Sequence, residues 1–189
     1  MNEQDAYSLV HFLTAVGRLK RVDRSGWSSR HLPSESVADH SYRTAVLASL
    51  IVELVDEELN SSKILRMCLI HDLAEAFIGD WDTDATNLVG KTSKVDLESR
   101  VIQKLFVGLP DKASKDFIAL WTEFKENSTL EAKIVHLADK LEAVIQAYEM
   151  HKAGISDWVY KEFVKGLSKL DLPASLGSVL EQFVAVLNK

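Results

Sequence analysis

The sequence predicts an all-α fold, and three observations support this. Apolar residues recur at helical spacing along most of the 189 residues, glycines and prolines fall mainly between the periodic segments, and no convincing alternating strand pattern is present. No strand is followed by a glycine-rich turn and a helix, so neither a Rossmann fold nor a P-loop is supported. The chain is long enough for one compact domain with a substantial core, and it has no long linker or repeat.

The helices are predicted in order from these breaks. The first contains the periodic segment Tyr7–Thr14 and stops at Gly17, and a long ordered loop follows to Val37. A second helix is predicted from Ala38 to about Leu59. A third follows the capping cluster Asn60-Ser61-Ser62. It runs to about Ile78, and the later segments are a polar loop at 79–90 and helices at 93–107, 112–125, 130–152, 156–169 and 173–187.

Charge and composition limit the partners. The net charge of −6 argues against a polyanion bound over a broad surface. One local segment, Gly17–His31, is nevertheless basic, with five cationic residues against Asp23 alone. Such a segment suits a small phosphorylated ligand better than a nucleic-acid duplex, and the alternative is a solvated basic loop. The five are Arg18, Lys20, Arg21, Arg24 and Arg30.

The ends of the chain and its cysteine usage give simpler expectations. Met1–Asp5 is acidic and polar, unlike a secretory signal, and no apolar run approaches the ~20 residues of a membrane span. A cytoplasmic protein without a membrane partner is therefore expected. Cys68 is the only cysteine, so no intrachain disulfide can form, and we interpret it as a small buried hydrophobe.

The most informative feature is the pair His71-Asp72, inside an otherwise apolar helical run. An ionised carboxylate buried without a partner is costly, and a metal cation would compensate for both groups at once. His40 and Asp139 sit in comparable apolar settings. A shell of two His and two Asp suits Mn, Co, Fe, Ni or Zn better than Mg. Taken singly, His40 can be a helix-start or core residue, and Asp139 can be salt-bridged to a lysine.

Four sequence blocks resemble those of a known family. In order along the chain they are GRLKRVDRSGW at 17–27, ESVADHS at 35–41, HDLAEAFIGD at 71–80 and EAKIVHLADKLE at 131–142. Together these blocks resemble the HD-domain 5′-deoxynucleotidases, and the resemblance covers roughly residues 8–155. It implies a single-domain HD-domain helical bundle over residues 1–189, in which the segment 156–189 matches only as generic helices.

The resemblance also implies a function and residue roles. It implies hydrolysis of nucleoside 5′-monophosphates, with deoxyribonucleotides preferred, and a homodimer. It implies that Glu75 handles the proton of the attacking water, that Arg24 contacts the substrate, and that Asp80 lies near the sugar. The family has a tryptophan after that arginine, where this chain has Ser25, so the sugar preference is open. The implied ligands of one divalent metal are His40, His71, Asp72 and Asp139.

Elementary geometry agrees with these roles. His71 and Glu75 are four residues apart, so on a helix they would share a face, and a carboxylate one turn from a metal can accept a proton from water. Lys20 can add positive charge near a phosphate. Trp27 can stack on a nucleobase or pin its own loop.

Two other functions stay open. Related HD enzymes hydrolyse (p)ppGpp or cyclic dinucleotides, although the alarmone enzymes usually have an acid where this chain has Ala76, and the GYP motif of the cyclic-dinucleotide enzymes is missing. The second function that stays open is that of a non-catalytic, metal-stabilised binding module, in which Glu75 would be dispensable.

Overall fold

The computed structural model describes residues 2–155 and 157–187, and every regular element within them is helical. In these ranges no strand forms, and residues Asp23 and Ser36 make one isolated antiparallel bridge. The all-α prediction is therefore confirmed. The elements are α1 (Glu3–Val16), a 3-10 helix (Gly17–Arg21), α2 (Ser25–Ser28), α3 (Val37–Leu54), α4 (Ser61–Ile70), α5 (Glu75–Ile78), α6 (Thr83–Val89), α7 (Lys91–Phe106), α8 (Asp111–Glu126), α9 (Leu130–Lys152), α10 (Asp157–Leu167) and α11 (Ala174–Leu187).

Two predicted helix ends and two predicted loops are wrong. The second helix ends at Leu54 rather than Leu59, and the third ends at Ile70, with turns before α5. The predicted loop at 18–37 contains the 3-10 helix and α2, and the predicted loop at 79–90 contains α6. Helix α6 forms because the side chain of Asp82 accepts a hydrogen bond from the Ala85 N–H at 2.8 Å and so caps the first turn.

The described residues fall into two compact units. The first consists of the residues up to Ser41 together with Leu69–Glu126. Aromatic packing marks its core, because the Phe106 ring stacks on Phe117 with centroids 5.4 Å apart and meets Phe12 at 5.3 Å. Helices α1, α5, α6, α7 and α8 pack within this unit.

The second unit consists of Tyr42–Cys68 and the described residues from Asn127 onward, and α9 is its longest helix. Helices α10 and α11 both pack on α9. The buried apolar residues of α9 include Ile134, Leu141 and Val144. The single-domain interpretation stays a prediction, and its end residues Met1 and Lys189 lie outside the described residues, as does Ser156, the predicted start of one helix.

None of the helices in the described ranges has both the length and the apolar character needed to cross a bilayer.

Candidate metal centre

His40 is held at the start of α3 by a reciprocal cap. The Asp39 N–H donates to Ser36 Oγ at 3.1 Å, while the Ser36 N–H and hydroxyl donate to Asp39 Oδ2 at 3.1 and 2.7 Å. The His40 N–H then donates to the Ser36 carbonyl at 3.1 Å, and the His40 side chain is fully buried. This capping box fixes the first turn of the helix, and so the direction of His40.

His71 and Asp72 lie in the turns that separate α4 from α5. The Leu73 N–H donates to the Ile70 carbonyl and the Glu75 N–H to the Asp72 carbonyl, so the chain passes through tight turns rather than one continuous helix. On a regular helix, adjacent side chains point in different directions. Here Asp72 Oδ2 lies only 3.1 Å from His71 Nε2. His71 therefore lies outside the helix that Glu75 opens, contrary to the prediction of one continuous helix, and the shared face of His71 and Glu75 stays a prediction.

Three predicted ligands meet in the first unit. Asp72 Oδ2 lies 3.1 Å from His71 Nε2 and 3.8 Å from His40 Nε2, and one ligand atom from each residue lies within 4.8 Å of the others. Two atoms that each lie about 2.1 Å from one ion are about 3.0 Å apart at a right angle and about 3.4 Å apart at a tetrahedral angle. The 3.1 Å separation therefore fits a shared divalent cation, whereas the 3.8 Å separation is wider than either ideal value.

A buried carboxylate oxygen supports the same fit. Asp72 Oδ2 is buried and has no hydrogen-bond partner among the described residues. Burial raises the pKa of this carboxyl, but the charges of His71, Arg24 and His40 outweigh that effect and hold the pKa below its usual value. Asp72 therefore offers an ionised carboxylate oxygen beside two imidazoles, and such a set of groups could bind a metal through mixed nitrogen and oxygen donors.

Asp139 belongs to the second unit. It lies on α9, is 8% exposed, and its Oδ2 pairs with Lys140 Nζ at 3.0 Å. A place for Asp139 in the ligand set stays a prediction.

Glu75 opens α5 and is 4% exposed. Burial raises its pKa well above the usual value, the negative charges of Asp72 and Asp80 add to this, and the positive charges of Arg24 and Lys94 oppose it. Its Oε2 is buried without a hydrogen-bond partner in the described part of the chain. A cation nearby would lower this pKa, because an opposite charge favours the carboxylate form.

Arg24 lies beside the triad of His40, His71 and Asp72, on a loop that hydrogen bonds hold in place. Its Nη1 lies 3.6 Å from Asp72 Oδ2 and 3.5 Å from Asp80 Oδ2. The Arg24 N–H donates to the Glu35 carbonyl at 3.0 Å, and the Ser25 N–H donates to Asp80 Oδ2 at 2.8 Å. Asp80 therefore holds both the side chain of Arg24 and the backbone that follows it, so this carboxylate orients the arginine.

The other two predicted substrate residues are placed differently. Lys20 is exposed in the 3-10 helix, and no ion pair between described residues joins it to the triad. Trp27 is 1% exposed and its indole N–H donates to Glu35 Oε1 at 3.4 Å. This burial favours the alternative in which Trp27 pins its own loop, and contact of either residue with substrate stays a prediction.

Sequence reasoning missed two neighbours of the site. Lys94 on α7 lowers the pKa of Glu75 and is itself paired with the buried Glu98, at 3.7 Å. The Phe124 ring meets the His71 ring edge-on at 5.6 Å. The i,i+4 spacing of Lys94 and Glu98 could have predicted that they pair. Nothing in the sequence indicates that Lys94 lies near Glu75.

Comparison with known proteins shows the family of this chain. A family model described as the HD domain matches residues 16–175. This chain belongs to the HD-domain family. Two relatives named 5′-deoxynucleotidase HDDC2 are each 40% identical to this HD-domain chain. The Homo sapiens protein matches over 154 residues, which are 79% of this chain and 73% of the human one, and the Bos taurus protein over 150 residues, which are 79% and 71%.

A solved structure is also similar to this HD-domain chain. A conserved hypothetical protein from Pyrococcus furiosus superposes with a TM-score of 0.79 at 30% identity, covering 93% of this chain and 99% of that one. The resemblance drawn from the four sequence blocks is therefore confirmed. HD domains are metal-dependent, and the triad of His40, His71 and Asp72 is a cluster that can bind a metal ion.

Proposed function

We propose that this chain is a metal-dependent phosphohydrolase that removes the 5′-phosphate from nucleoside 5′-monophosphates, including deoxyribonucleotides. The observation that carries the proposal is the position of Asp72 Oδ2, which is buried between two imidazole nitrogens with Arg24 alongside. The names of the relatives, 5′-deoxynucleotidases, support the substrate class. We also propose a homodimer and a cytoplasmic location.

His40, His71, Asp72 and Asp139 would hold one divalent ion. The two imidazoles favour Co, Mn, Fe, Ni or Zn over Mg. When bound, the ion supplies a Lewis acid that polarises the phosphoryl group and makes water more acidic.

The chain's own groups supply the remaining chemistry. Glu75 takes a proton from the attacking water, whose oxygen bonds to phosphorus as the bond from phosphorus to O5′ breaks. The leaving O5′ takes up the proton that Glu75 accepted, so Glu75 returns to its carboxylate form and the products are a nucleoside and inorganic phosphate. Arg24 stabilises the charge on the phosphoryl oxygens, and Asp80 keeps Arg24 oriented. Ser25 follows Arg24 and its N–H is held by Asp80, and the panel of ribo- and deoxyribonucleotides measures the sugar preference.

The test is phosphate release from a panel of ribo- and deoxyribonucleoside 5′-monophosphates, crossed with a panel of metals. The wild-type protein should release phosphate with Co or Mn. Glu75→Gln should retain the metal and lose about 10²–10⁴-fold in kcat, which is the usual contribution of a positioned acid–base group. The matched control Glu57→Gln, at an exposed glutamate, should be unaffected.

Three outcomes would contradict the proposal. Full turnover in Glu75→Gln would remove the proposed base. Metal binding without hydrolysis of any monophosphate would favour the non-catalytic module. Preference for (p)ppGpp or a cyclic dinucleotide over every monophosphate would favour the other HD hydrolases.

A further inference from the structure

Helix α7 carries a buried carboxylate that the chemistry described so far does not use. Glu98 is 4% exposed, and glutamate is rarely buried to this extent unless it is paired. Its oxygens face two lysines, with Lys125 Nζ of α8 2.7 Å from Oε2 and Lys94 Nζ 3.7 Å from Oε1. These three residues of the first unit, called the α7–α8 charge cluster, hold two positive charges against one negative charge.

The two lysines do not share Glu98 equally. The contact of 2.7 Å joins Lys125 directly to the carboxylate, whereas 3.7 Å is longer than a hydrogen bond. The Lys94 ammonium has three N–H donors and makes no hydrogen bond within the described part of the chain. Because its side chain is only 18% exposed, water reaches it poorly. The surplus positive charge of the cluster can therefore be balanced by an anion that approaches Lys94.

The α7–α8 charge cluster borders the candidate metal centre. Helix α5, which Glu75 opens, packs against α7, and the positive charge of Lys94 lowers the pKa of Glu75. At the other end of the cluster, the Lys125 ammonium lies 5.5 Å from the centroid of the Phe124 ring. That ring meets the His71 ring edge-on at 5.6 Å. Lys94 is therefore the member of the cluster on the side of the proposed base.

The proposed reaction brings the phosphoryl group to this side of the site. Glu75 accepts a proton from the water that attacks phosphorus, so one water molecule separates its carboxylate from the phosphoryl group. A phosphate monoester carries between one and two negative charges at neutral pH. Arg24 balances part of that charge, and a second cationic side chain near Glu75 balances more of it. Lysine suits this task because its ammonium is a compact point charge on a flexible stem.

We propose that Lys94 is a second phosphate-binding residue that contacts the phosphoryl oxygens of the substrate, and that Glu98 is a positioning residue that directs its ammonium. This inference rests on the proposed function. Lys125 holds the Glu98 carboxylate through the direct contact, while the looser contact leaves the Lys94 ammonium able to turn towards a phosphate. Because Lys94 attracts the phosphate in the ground state and in the transition state, its loss affects KM as well as kcat.

Steady-state kinetics on deoxynucleoside monophosphates, with Mn or Co present, test the contact with substrate. Lys94→Met should raise KM about 10-fold and lower kcat/KM about 100-fold. Lys94→Arg, which keeps the positive charge, should recover much of the loss. The matched control is Lys91→Met, because Lys91 is exposed at the first residue of the same helix. It should behave like the wild type.

Binding of inorganic phosphate to the metal-loaded protein tests the same contact without turnover. In calorimetric titration, Lys94→Met should weaken phosphate binding about 10-fold, and Lys91→Met should leave it unchanged. The affinity of Lys94→Met for the metal should equal that of the wild type or exceed it, because a positive charge is removed. A lysine with a merely structural role would not separate phosphate affinity from metal affinity in this way. Circular dichroism establishes that the helices of each variant persist.

A double-mutant cycle tests the positioning role of Glu98. Glu98→Gln should weaken phosphate binding about threefold or more, and should add little in the Lys94→Met background. Lys125→Met loosens the carboxylate without removing it, so it should act in the same direction and also add little to Lys94→Met. If Glu98→Gln does not fold, the cycle with Lys125→Met carries this test.

The outcomes separate this inference from the proposed function. If the wild type hydrolyses monophosphates, and Lys94→Met matches Lys91→Met in both KM and phosphate affinity, this inference is overturned and the proposed function stands. Additive effects of Lys94→Met and the variants at Glu98 and Lys125 would overturn the positioning role. A wild type that hydrolyses no monophosphate would overturn the proposed function, and this inference with it.

Discussion

Arg24 reaches the carboxylate of Asp72, with Nη1 3.6 Å from Oδ2. A cationic group therefore lies beside the proposed metal ligand, on the edge where an anionic substrate would need its charge balanced. The arrangement joins the basic segment of the sequence to the HD pair and leads to the first prediction.

Arg24→Met should lower kcat/KM by about 10²–10³-fold, which is typical for the loss of one group that stabilises developing charge. Metal affinity, measured by calorimetry, should stay the same or rise, because a positive charge near the cation is removed. Arg30→Met is the matched control, since Arg30 lies in the same segment and donates to the Gly26 carbonyl. If Arg24→Met lost metal rather than turnover, Arg24 would be a structural residue.

Asp80→Asn should move the acid limb of the kcat/KM profile to lower pH. Asp80 raises the pKa of Glu75, and a base works only when it is deprotonated. Removing the negative charge lowers that pKa, so Glu75 stays deprotonated at more acidic pH. The amide oxygen can still accept from the Ser25 N–H.

Asp84→Asn on α6 is the control for Asp80→Asn, because Asp84 is exposed. Its pH profile should overlay that of the wild type. An acid limb in Asp80→Asn that stays in place or moves to higher pH would contradict the proposed electrostatic link to Glu75.

Arg43 fastens α3 to α9, with nitrogens 2.6 Å from Glu142 Oε1, 2.9 Å from Glu149 Oε2 and 2.6 Å from Gln146 Oε1. Glu142 is fully buried. Arg43→Met should therefore lower the free energy of unfolding by about 3 kcal/mol, because a buried charge loses its cationic partner. The double variant Arg43→Met with Glu142→Met should regain most of this free energy of unfolding, as measured by urea denaturation. Glu149→Gln alone should lower the free energy of unfolding only slightly. Additive losses in the double variant would contradict this account.

Ionisation of the Cys68 thiol should lower the free energy of unfolding at alkaline pH. Burial, helped by the negative charge of Asp139, raises the pKa of its thiol from 9.0 to about 12. The unfolded chain therefore ionises first, so this contribution to stability is complete below pH ~9 and is lost as pH rises towards ~12. Between pH 8 and pH 10.5 the wild type should lose about 2 kcal/mol more free energy of unfolding than Cys68→Ala loses. Rapid alkylation of the native protein at pH 8 would contradict the raised pKa.

The long helices and most of the site could be predicted from the sequence because their signals are local. The predicted helix at 130–152 coincides with α9, and the helix at 112–125 differs from α8 by one residue at each end. Here apolar periodicity and clear breaks agree. His40, His71 and Asp72 stood out for a similar reason, since polar ligands in apolar runs need compensation.

The remainder depended on contacts that periodicity does not encode. The turns at 71–74 continue the apolar pattern of α4, so nothing in the spacing marks the break that turns His71 and Asp72 towards one point. Helix α6 contains Thr, Asp and Asn, which favour turns and caps, and its formation depends on the Asp82 cap. The burial of Trp27 depends on how the loop folds back onto Glu35.

The most direct measurement is metal binding by the purified, metal-stripped protein. Calorimetric titration with Mn or Co should show one equivalent per chain in the wild type, and His71→Ala and Asp72→Ala should each weaken binding by about 100-fold or more. His11→Ala, at an exposed histidine of α1, should bind like the wild type. Undiminished metal affinity in both His71→Ala and Asp72→Ala would contradict the assignment of this triad as the metal centre.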